Sequence, residues 1–368
     1  MHLPIQDKVV RMVTAALVLL LLSAEASTQT ATPTGQIRIP NRATAPLFTG
    51  KPGKQKTEIT FDSATGIVTL KLLVQDPNGY FIPNIRRDNF VIYENGVRQE
   101  NVTCDIEHAP VSLLILLEFG GRAPGFNRLA SEKLIGAAEQ FLDELGKDKA
   151  DKIALWKYGD KPDKLADFSE SIEKLPSILI GLGAPELSET NLYDAVIFAD
   201  EHLRPVAGRK AIVLISSGVD TFSKTHYEDV IQTVKEAGTP IYAIALTRVL
   251  RDLADTEYRA SPATKMNWTR AEKELEGIAT ASGGRAYLPE NTVNLSPMYD
   301  DLMENLKVRY VLTYRSSNNL GPNSPRSVRV VLVDPKTGGP LHIVDEDGKP
   351  IPAVLTVTEA ISQTTSER

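Results

Sequence analysis

The stretch VSLLILLEFGGRAPG, residues 111–125, decides the fold. Six of the seven residues at 111–117 are apolar and lead to Glu118, and a glycine pair and Arg122 follow. A short apolar run is typical of a strand that is covered on both faces of a sheet. Glycines directly after such a run mark the passage from strand to helix. Because ligands of open α/β sheets bind outside the carboxyl ends of the strands, we expect a site next to Glu118.

From residue 109 onward, short apolar segments alternate with amphipathic ones, which is typical of a parallel α/β sheet. The predicted strands are Ser112–Phe119, Lys152–Tyr158, Lys210–Ser216, Ile241–Thr247, Arg285–Leu288 and Arg309–Tyr314. The predicted helices are Arg128–Leu145, Ile172–Ile180, Leu192–Leu203, Tyr227–Ala237, Ala271–Ala281 and Met298–Leu306. The pattern predicts a doubly wound, mostly parallel, Rossmann-like sheet over residues 109–316, and a polar insertion at 248–269 that forms a surface lid or a helix pair.

Residues 57–108 and 317–368 alternate apolar and polar positions, which favours β-structure on both sides of the α/β region. VQDPNGYFIP in the first segment and VDEDGKPIP in the second form similar turns. We expect the two segments to pack together as one small β-sandwich with the α/β domain inserted between them. The alternative is two unrelated hairpins with ordinary turn chemistry.

Residues 1–26 have the pattern of a secretory signal peptide. Lys8 and Arg11 precede the apolar run at 12–22, and Ala24-Glu25-Ala26 offers a cleavage site. Eleven apolar residues are too few for a bilayer span, which needs about twenty. We therefore predict a secreted, periplasmic or cell-envelope protein without stable membrane insertion after cleavage; an uncleaved anchor or a buried helix is the alternative.

Residues 27–56, rich in Thr and Pro, are predicted to be a disordered linker.

Charge and cysteine content exclude several classes of function. The net charge is −6 and no basic stretch is present, so a nucleic-acid partner is not expected. Cys104 is the single cysteine, which excludes an intramolecular disulfide and a cysteine-based metal site.

Six stretches in order resemble the von Willebrand factor type A (vWA) domain, and in particular the secreted acidobacterial VWFA-related family. They are DPNGYFIPNIRRDNFVIYENGVRQE, VSLLILLEFGG, DKIALWKYGD with LADFSES, ETNLYDAV, RKAIVLISSGVDT and RYVLTYRSSN. The resemblance covers roughly residues 67–317. It implies a doubly wound sheet that binds its partners at the carboxyl ends of the strands.

The same resemblance implies where a metal-ion-dependent adhesion site would lie. Its Asp-x-Ser-x-Ser, Thr and Asp positions fall on Glu118, Gly120, Arg122, Thr190 and Ser217. Mg²⁺ requires oxygen ligands in near-octahedral geometry, whereas glycine has no side-chain oxygen and a guanidinium is a permanent cation. We therefore predict a degenerate site without a divalent cation, in which Arg122 pairs with Glu118 or points to solvent.

No catalytic or cofactor motif is predicted. Ser216, Ser217, Asp220 and His226 lie close in sequence, but the Gly-x-Ser-x-Gly elbow of serine hydrolases is missing. Zinc-binding histidine motifs and phosphate-binding glycine loops are missing as well. Asp194 is expected to cap or anchor its helix, and Asp220 to pair with Arg122 or Lys224 or to remain solvated.

These observations predict a secreted, non-enzymatic protein-interaction or adhesion module with metal-independent binding and no cofactor. Its partner-binding candidates are Arg122, Thr190, Asp220 and Trp268. One alternative is a metal-dependent adhesin with a site rebuilt from Glu118, Thr190 and Asp220. The other is a structural envelope-assembly protein that binds through the sandwich.

Overall fold

The structure is a computed structural model. It describes residues 36–39, 53, 58–121, 123–145, 150–185, 187–257, 266–293, 295–318, 324 and 326–355. The predicted signal peptide, most of the predicted linker and Arg122 lie outside these residues. No helix among the described residues is both long and apolar enough to cross a membrane.

The described part of the chain alternates strands and helices in its central region and is rich in strands at both ends. The strands are β1 (Ile37–Arg38), β2 (Glu58–Asp62), β3 (Ile67–Leu72), β4 (Val74–Gln75), β5 (Phe90–Glu94), β6 (Val97–Arg98), β7 (Thr103–His108), β8 (Val111–Glu118), β9 (Lys152–Tyr158), β10 (Pro162–Ala166), β11 (Arg209–Ser216), β12 (Ile241–Ala245), β13 (Arg285–Tyr287), β14 (Val308–Arg315), β15 (Val328–Leu332), β16 (Ile343–Val344), β17 (Pro350–Ile351) and β18 (Val354–Leu355). The helices are α1 (Pro124–Leu145), α2 (Leu175–Ile180), α3 (Leu192–Leu203), α4 (Tyr227–Ala237), α5 (Thr247–Glu257), α6 (Trp268–Ala281) and α7 (Ser296–Lys307).

A six-stranded sheet in the order β10-β9-β8-β11-β12-β13 forms the centre of the α/β domain. Neighbouring strands are parallel except for the edge strand β10, which runs antiparallel to β9. This arrangement confirms the predicted doubly wound, mostly parallel sheet.

Helices cover both faces of this sheet because its central strands are apolar on both sides. On β8, Leu113, Ile115 and Leu117 pack with α1, α2, α5 and α7 in one core. Leu114 and Leu116 point the other way and pack with α3, α4 and α6. The alternation of side chains along a strand thus divides one continuous apolar run between two cores.

The flanking β segments pack together, as predicted from their alternation. One sheet has the order β2-β3-β14-β7, and β15-β5-β6 forms a second sheet. Shorter pairings join β18 to β4 and β1 to β16 and β17. Side chains from before and after the α/β domain, including Leu70 and Val330, share one apolar core. The α/β domain is therefore inserted between the two halves of a small sandwich.

The strand predicted at residues 309–314 is present as β14, but its assignment to the parallel sheet is wrong. It pairs antiparallel with β3 and β7 in the sandwich. The physical reason is visible in its burial, which alternates along the strand between buried and half-buried residues. That is the pattern of an antiparallel strand with one covered face, whereas the central strands are buried continuously. The α/β domain thus ends near Lys307 rather than at residue 316.

The predicted linker also differs from the structure at its described residues. Ile37–Arg38 forms a strand parallel to Ile343–Val344 instead of an unstructured segment. Ile39 is buried in the sandwich core, which explains the order at this point. Composition alone does not show a pairing partner that is about 300 residues away.

Candidate functional site

The candidate site lies at the carboxyl ends of β8 and β11, where the direction of the sheet reverses. The chain leaves β8 towards β9 on one side, and later enters β11 on the other side of β8. The loops after β8 and β11 therefore diverge and leave a crevice between them. Ligands of open α/β sheets bind at this switch point.

The carboxylate of Glu118 is the centre of a buried hydrogen-bond network. Oε2 accepts from the Ser216 hydroxyl at 2.8 Å, the Ser217 amide at 2.7 Å and the Ser217 hydroxyl at 2.9 Å. The Ser217 hydroxyl also lies 2.9 Å from Oε1, and the Tyr158 hydroxyl lies 3.3 Å from Oε2. Glu118 itself is buried. Hydroxyl and amide donors thus surround this carboxylate where a metal or a cation could have done so.

The turn after β11 holds the two serines in place. The Gly218 amide donates to Ser216 Oγ at 2.8 Å, and the Val219 amide donates to Ser217 Oγ at 3.1 Å. Gly218 has φ +80°, and a Cβ there would approach the Ala271 carbonyl of α6 at 2.9 Å. A side chain is therefore excluded at this position, both by the backbone conformation and by α6.

Burial is the main influence on the titration of this network. It raises the pKa of Glu118, and the hydrogen bonds from Ser216, Ser217 and Tyr158 offset only part of the rise. Burial and the nearby negative charge of Glu118 raise the pKa of Tyr158 well above its usual value. Tyr158 therefore remains a neutral donor at any physiological pH.

A cavity of about 250 Å³ lies beside this network. Polar side chains, among them Glu118, Thr190 and Ser217, line one part of it. The remaining wall is mostly apolar and comes from α1, α5 and the start of α6. The crevice is therefore a mixed pocket and not a purely polar cation site.

The structure brings most positions of the predicted degenerate site to this cavity. Glu118, Gly120, Thr190 and Ser217 all line it, whereas Arg122 lies outside the described residues. Thr190 is buried, and its backbone pairs with Thr221 through an amide–hydroxyl bond of 2.8 Å and an amide–carbonyl bond of 2.9 Å. The loops before α3 and after β11 are thereby joined.

Asp220 does not line the cavity described above. Its carboxylate accepts hydrogen bonds from the Tyr193 amide at 3.2 Å and from the amide and hydroxyl of Ser223. Asp194 accepts from the Lys224 and Thr225 amides, both at 2.9 Å, and from the Thr225 hydroxyl. Each carboxylate thus ties the first turn of α3 to the loop before α4, and these hydrogen bonds lower the pKa of Asp194 in spite of partial burial.

Trp268 differs from the polar-loop position that the sequence indicated. It is the first residue of α6, is 7% exposed, and packs edge-on against Phe126 with ring centroids 6.2 Å apart. It lines the cavity from the apolar side. Helix α5 occupies the first half of the predicted insertion, α6 begins at its last two residues, and residues 258–265 between them lie outside the described part.

The four residues that could have formed a catalytic relay are not arranged as one. Ser216 and Ser217 donate to Glu118, and Asp220 accepts from the α3 region. His226 is an exposed residue directly before α4.

A divalent cation does not fit the residues present. Both oxygens of Glu118 accept from serine hydroxyls, and Gly120 supplies no side-chain ligand. A Cβ at Gly120 would overlap Ser188 Oγ, so the space that a serine would need there is filled. Within the described ranges, no group of three His, Cys, Asp or Glu side chains is placed to hold a metal ion.

Sequence reasoning did not find three residues of this site. Tyr158 faces Glu118 because the two are register partners at the ends of β9 and β8. Asn127 lines the cavity from the first turn of α1. Phe222 lies in the loop after β11 and is 70% exposed. An apolar residue inside the polar run VDTFSK was a signal for Phe222, whereas the other two depend on register and helix rotation.

This doubly wound α/β domain has a Rossmann-like fold with a carboxylate and hydroxyls at its switch point. Residues 126–299 match the family model of the von Willebrand factor type A domain. The chain therefore contains a vWA domain, a type of module that mediates protein interactions. The membership in the acidobacterial branch stays a prediction.

Several solved structures are similar to this chain. BatB from Bacteroides thetaiotaomicron is 14% identical with a TM-score of 0.39, over 53% of this chain and 98% of that one. The vWF domain of the type V pili tip protein Mfa5 from Porphyromonas gingivalis is 14% identical with a TM-score of 0.37, over 54% and 95%. Proximal thread matrix protein 1 from the mussel byssus, with a zinc-occupied MIDAS motif, is 13% identical with a TM-score of 0.39, over 57% and 49%. No curated protein matches the sequence.

Proposed function

We propose that this chain is an exported, non-enzymatic interaction module whose vWA domain binds a protein partner at the carboxyl edge of its sheet without a metal ion. The observation that carries the proposal is the saturation of Glu118 by the hydroxyls and amide of Ser216 and Ser217. Both oxygens of this carboxylate already accept hydrogen bonds from the protein, and burial favours its protonated form, so a cation would have to displace these donors.

Exposed apolar residues at the same edge support partner binding. Phe222, in the loop after β11, and Leu187, in the loop before α3, are 70% and 62% exposed. The two loops are joined through Thr190 and Thr221. Large aromatic side chains are enriched in the buried centres of protein interfaces. We assign Phe222 as the anchor of the interface.

The two alternatives have weaker support. A rebuilt metal site would need Glu118, Thr190 and Asp220 together, but the Asp220 carboxylate is bound to Tyr193 and Ser223 outside the cavity. Binding through the sandwich would use apolar groups such as Ile106, which is 48% exposed on β7.

The proposed export depends on the signal-peptide pattern of residues 1–26. Mass spectrometry of the protein from its native cells tests it, because signal-peptide cleavage would remove these residues from the N-terminus.

One capture experiment separates these three functions. The mature chain is immobilised and incubated with an envelope extract from the native organism, once with Mg²⁺ and once with EDTA. We expect the same protein to be retained under both conditions, to be lost with Phe222→Ser and to be kept with the control Ile106→Ser. Retention only with Mg²⁺ would establish the metal-dependent adhesin, and loss with Ile106→Ser alone would establish binding by the sandwich.

A further inference from the structure

The cavity beside Glu118 has features that the binding of a protein at the edge does not use. Its apolar wall is formed by small and large side chains from three helices, including Ala130 of α1, Leu250 of α5 and Trp268 of α6. Met266 and Phe126 complete this wall next to Trp268. A mostly apolar concave space with a few polar groups is the usual form of a small-molecule site.

Two hydrogen-bond donors on this wall have no partner among the described residues. They are Asn127 Nδ2 and Trp268 Nε1. Both side chains are more than nine-tenths buried and line the cavity. Asn127 Oδ1 already accepts from the Ala123 amide at 3.3 Å, so the free end of this amide is its donor. Buried donors are nearly always satisfied in folded proteins, because an unmade hydrogen bond costs about 1–3 kcal/mol. An acceptor inside the cavity, from a ligand or from water, would satisfy these two donors.

The charges around the cavity indicate an uncharged ligand. Glu118 lies in the polar part of the wall, so an anion would be repelled. A cation would be repelled by the N–H donors of Asn127 and Trp268, which carry a partial positive charge. The apolar side chains add a desolvation cost for an ion of either sign.

Size and shape favour a single ring with a short substituent. A cavity of about 150 Å³ in another protein accommodates benzene. The larger volume of about 250 Å³ here leaves room for a ring with a carbonyl substituent. The rings of Phe126 and Trp268 meet edge-on at 62°, and such faces and edges pack well against a third aromatic ring.

We propose that this cavity binds a small, uncharged aromatic molecule through a carbonyl oxygen, which accepts hydrogen bonds from Asn127 Nδ2 and Trp268 Nε1. This inference goes beyond the proposed function, because the ligand is a free small molecule and no protein partner is needed. The two are independent: loss of Phe222 does not alter the cavity wall.

The test uses acetophenone as probe and the indole N–H signals of the ¹⁵N-labelled full chain as the readout. The chain has two tryptophans, and Trp156 belongs to the core on the opposite face of the sheet. Variants Trp268→Phe and Trp156→Phe assign the two signals. We expect acetophenone to move the Trp268 signal downfield in a saturable way and to leave the Trp156 signal in place.

Two matched compounds test the chemistry of the ligand. In α-methylstyrene a methylene group replaces the carbonyl oxygen at nearly the same shape, and we expect about threefold to tenfold weaker binding. Benzoate carries a charge and should not bind. Equal binding of α-methylstyrene, or stronger binding of benzoate, would refute the proposal.

Two variants test the location. Ala130→Leu fills the cavity and should abolish the Trp268 shift. Asn127→Asp keeps the bond from the Ala123 amide, exchanges the free donor for an acceptor, and should weaken acetophenone about tenfold. An unshifted Trp156 signal shows that each variant is folded; if one is not, the other decides. An unchanged affinity in a folded variant would overturn the proposal, as would a failure of acetophenone to move the Trp268 signal.

Discussion

Two buried glutamates, one in each domain, are stabilised in opposite ways. In the sandwich, Glu94 at the end of β5 is fully buried and paired with the guanidinium of Arg326. That guanidinium also lies 3.8 Å from the centre of the Phe61 ring. In the α/β domain, Glu118 receives hydroxyl and amide donors from Ser216, Ser217 and Tyr158.

The difference explains which of the two carboxylates borders a ligand site. A buried ion pair depends on both partners, because either charge alone is costly to bury. Hydroxyl donors can rotate and can exchange one acceptor for another. Glu118 therefore lies in surroundings that tolerate a neighbouring ligand, whereas Glu94 lies in surroundings that exclude one.

The largest effect is expected from the ion pair. Arg326→Met leaves the Glu94 carboxylate buried without its cation, so the free energy of unfolding should fall by about 3–5 kcal/mol. Chemical denaturation measures this change. The double variant Glu94→Gln/Arg326→Met removes both charges and should recover most of the loss. If the free energy of unfolding of Arg326→Met falls by less than about 1 kcal/mol, Glu94 does not depend on Arg326, and the contrast with Glu118 is wrong.

A smaller effect is expected from the hydroxyl network. Ser217→Ala removes the hydroxyl that serves both oxygens of Glu118, while the Ser216 hydroxyl and the Ser217 amide remain. Hydrogen bonds to a charged group contribute about 1.5–3 kcal/mol, so the unfolding free energy should fall by that amount. Ser171→Ala, at an exposed position, is the control and should change it by less than about 0.5 kcal/mol. A loss as large as that of Arg326→Met would contradict the tolerance inferred for this network.

The smallest effect is a dependence on pH. Burial raises the pKa of Glu118 above the ordinary 4.5 in the folded chain, so the folded state binds this proton more tightly than the unfolded state. The stabilisation is complete below pH 4.5 and is lost as the pH rises through the folded pKa. The unfolding free energy of the natural protein should thus fall relative to Glu118→Gln as the pH rises from 4.5 through the raised pKa of the folded state. A relative rise over that range would show that the hydrogen bonds outweigh burial.

Much of the fold could be predicted because the central strands carry a strong local signal. The apolar run at 113–117 is continuous, and the predicted strand Ser112–Phe119 differs from β8 by one residue at each end. The strand at 309–314 is harder to predict, because it follows a helix like the strands of the parallel sheet, and only its alternating burial shows that it is a half-covered antiparallel strand.

The candidate site could be predicted only where it follows the order of the chain. Glu118 and Ser217 each follow a strand, so their convergence at one edge follows from the parallel topology. Tyr158 reaches Glu118 through strand register, and Trp268 is buried because the first turn of α6 packs on Phe126. The positions of Tyr158 and Trp268 thus depend on contacts between segments that are distant in the chain. For Trp268, the polar residues around it in the sequence also suggest an exposed loop.

The insertion of the α/β domain into the sandwich imposes an order on biosynthesis. All strands of the parallel sheet, and the helices that cover it, precede residue 308, so this domain can fold as soon as they have been synthesised. Strand β3, in contrast, waits for β14, whose Tyr310 pairs with Leu72 more than 200 residues earlier in the chain. During that interval β3 and β5 have their local partners β2 and β6 but lack the carboxyl-terminal strands β14 and β15, which leaves an open sheet edge that is prone to aggregation. The amino-terminal half of the sandwich is therefore the part of the nascent chain that most needs a chaperone.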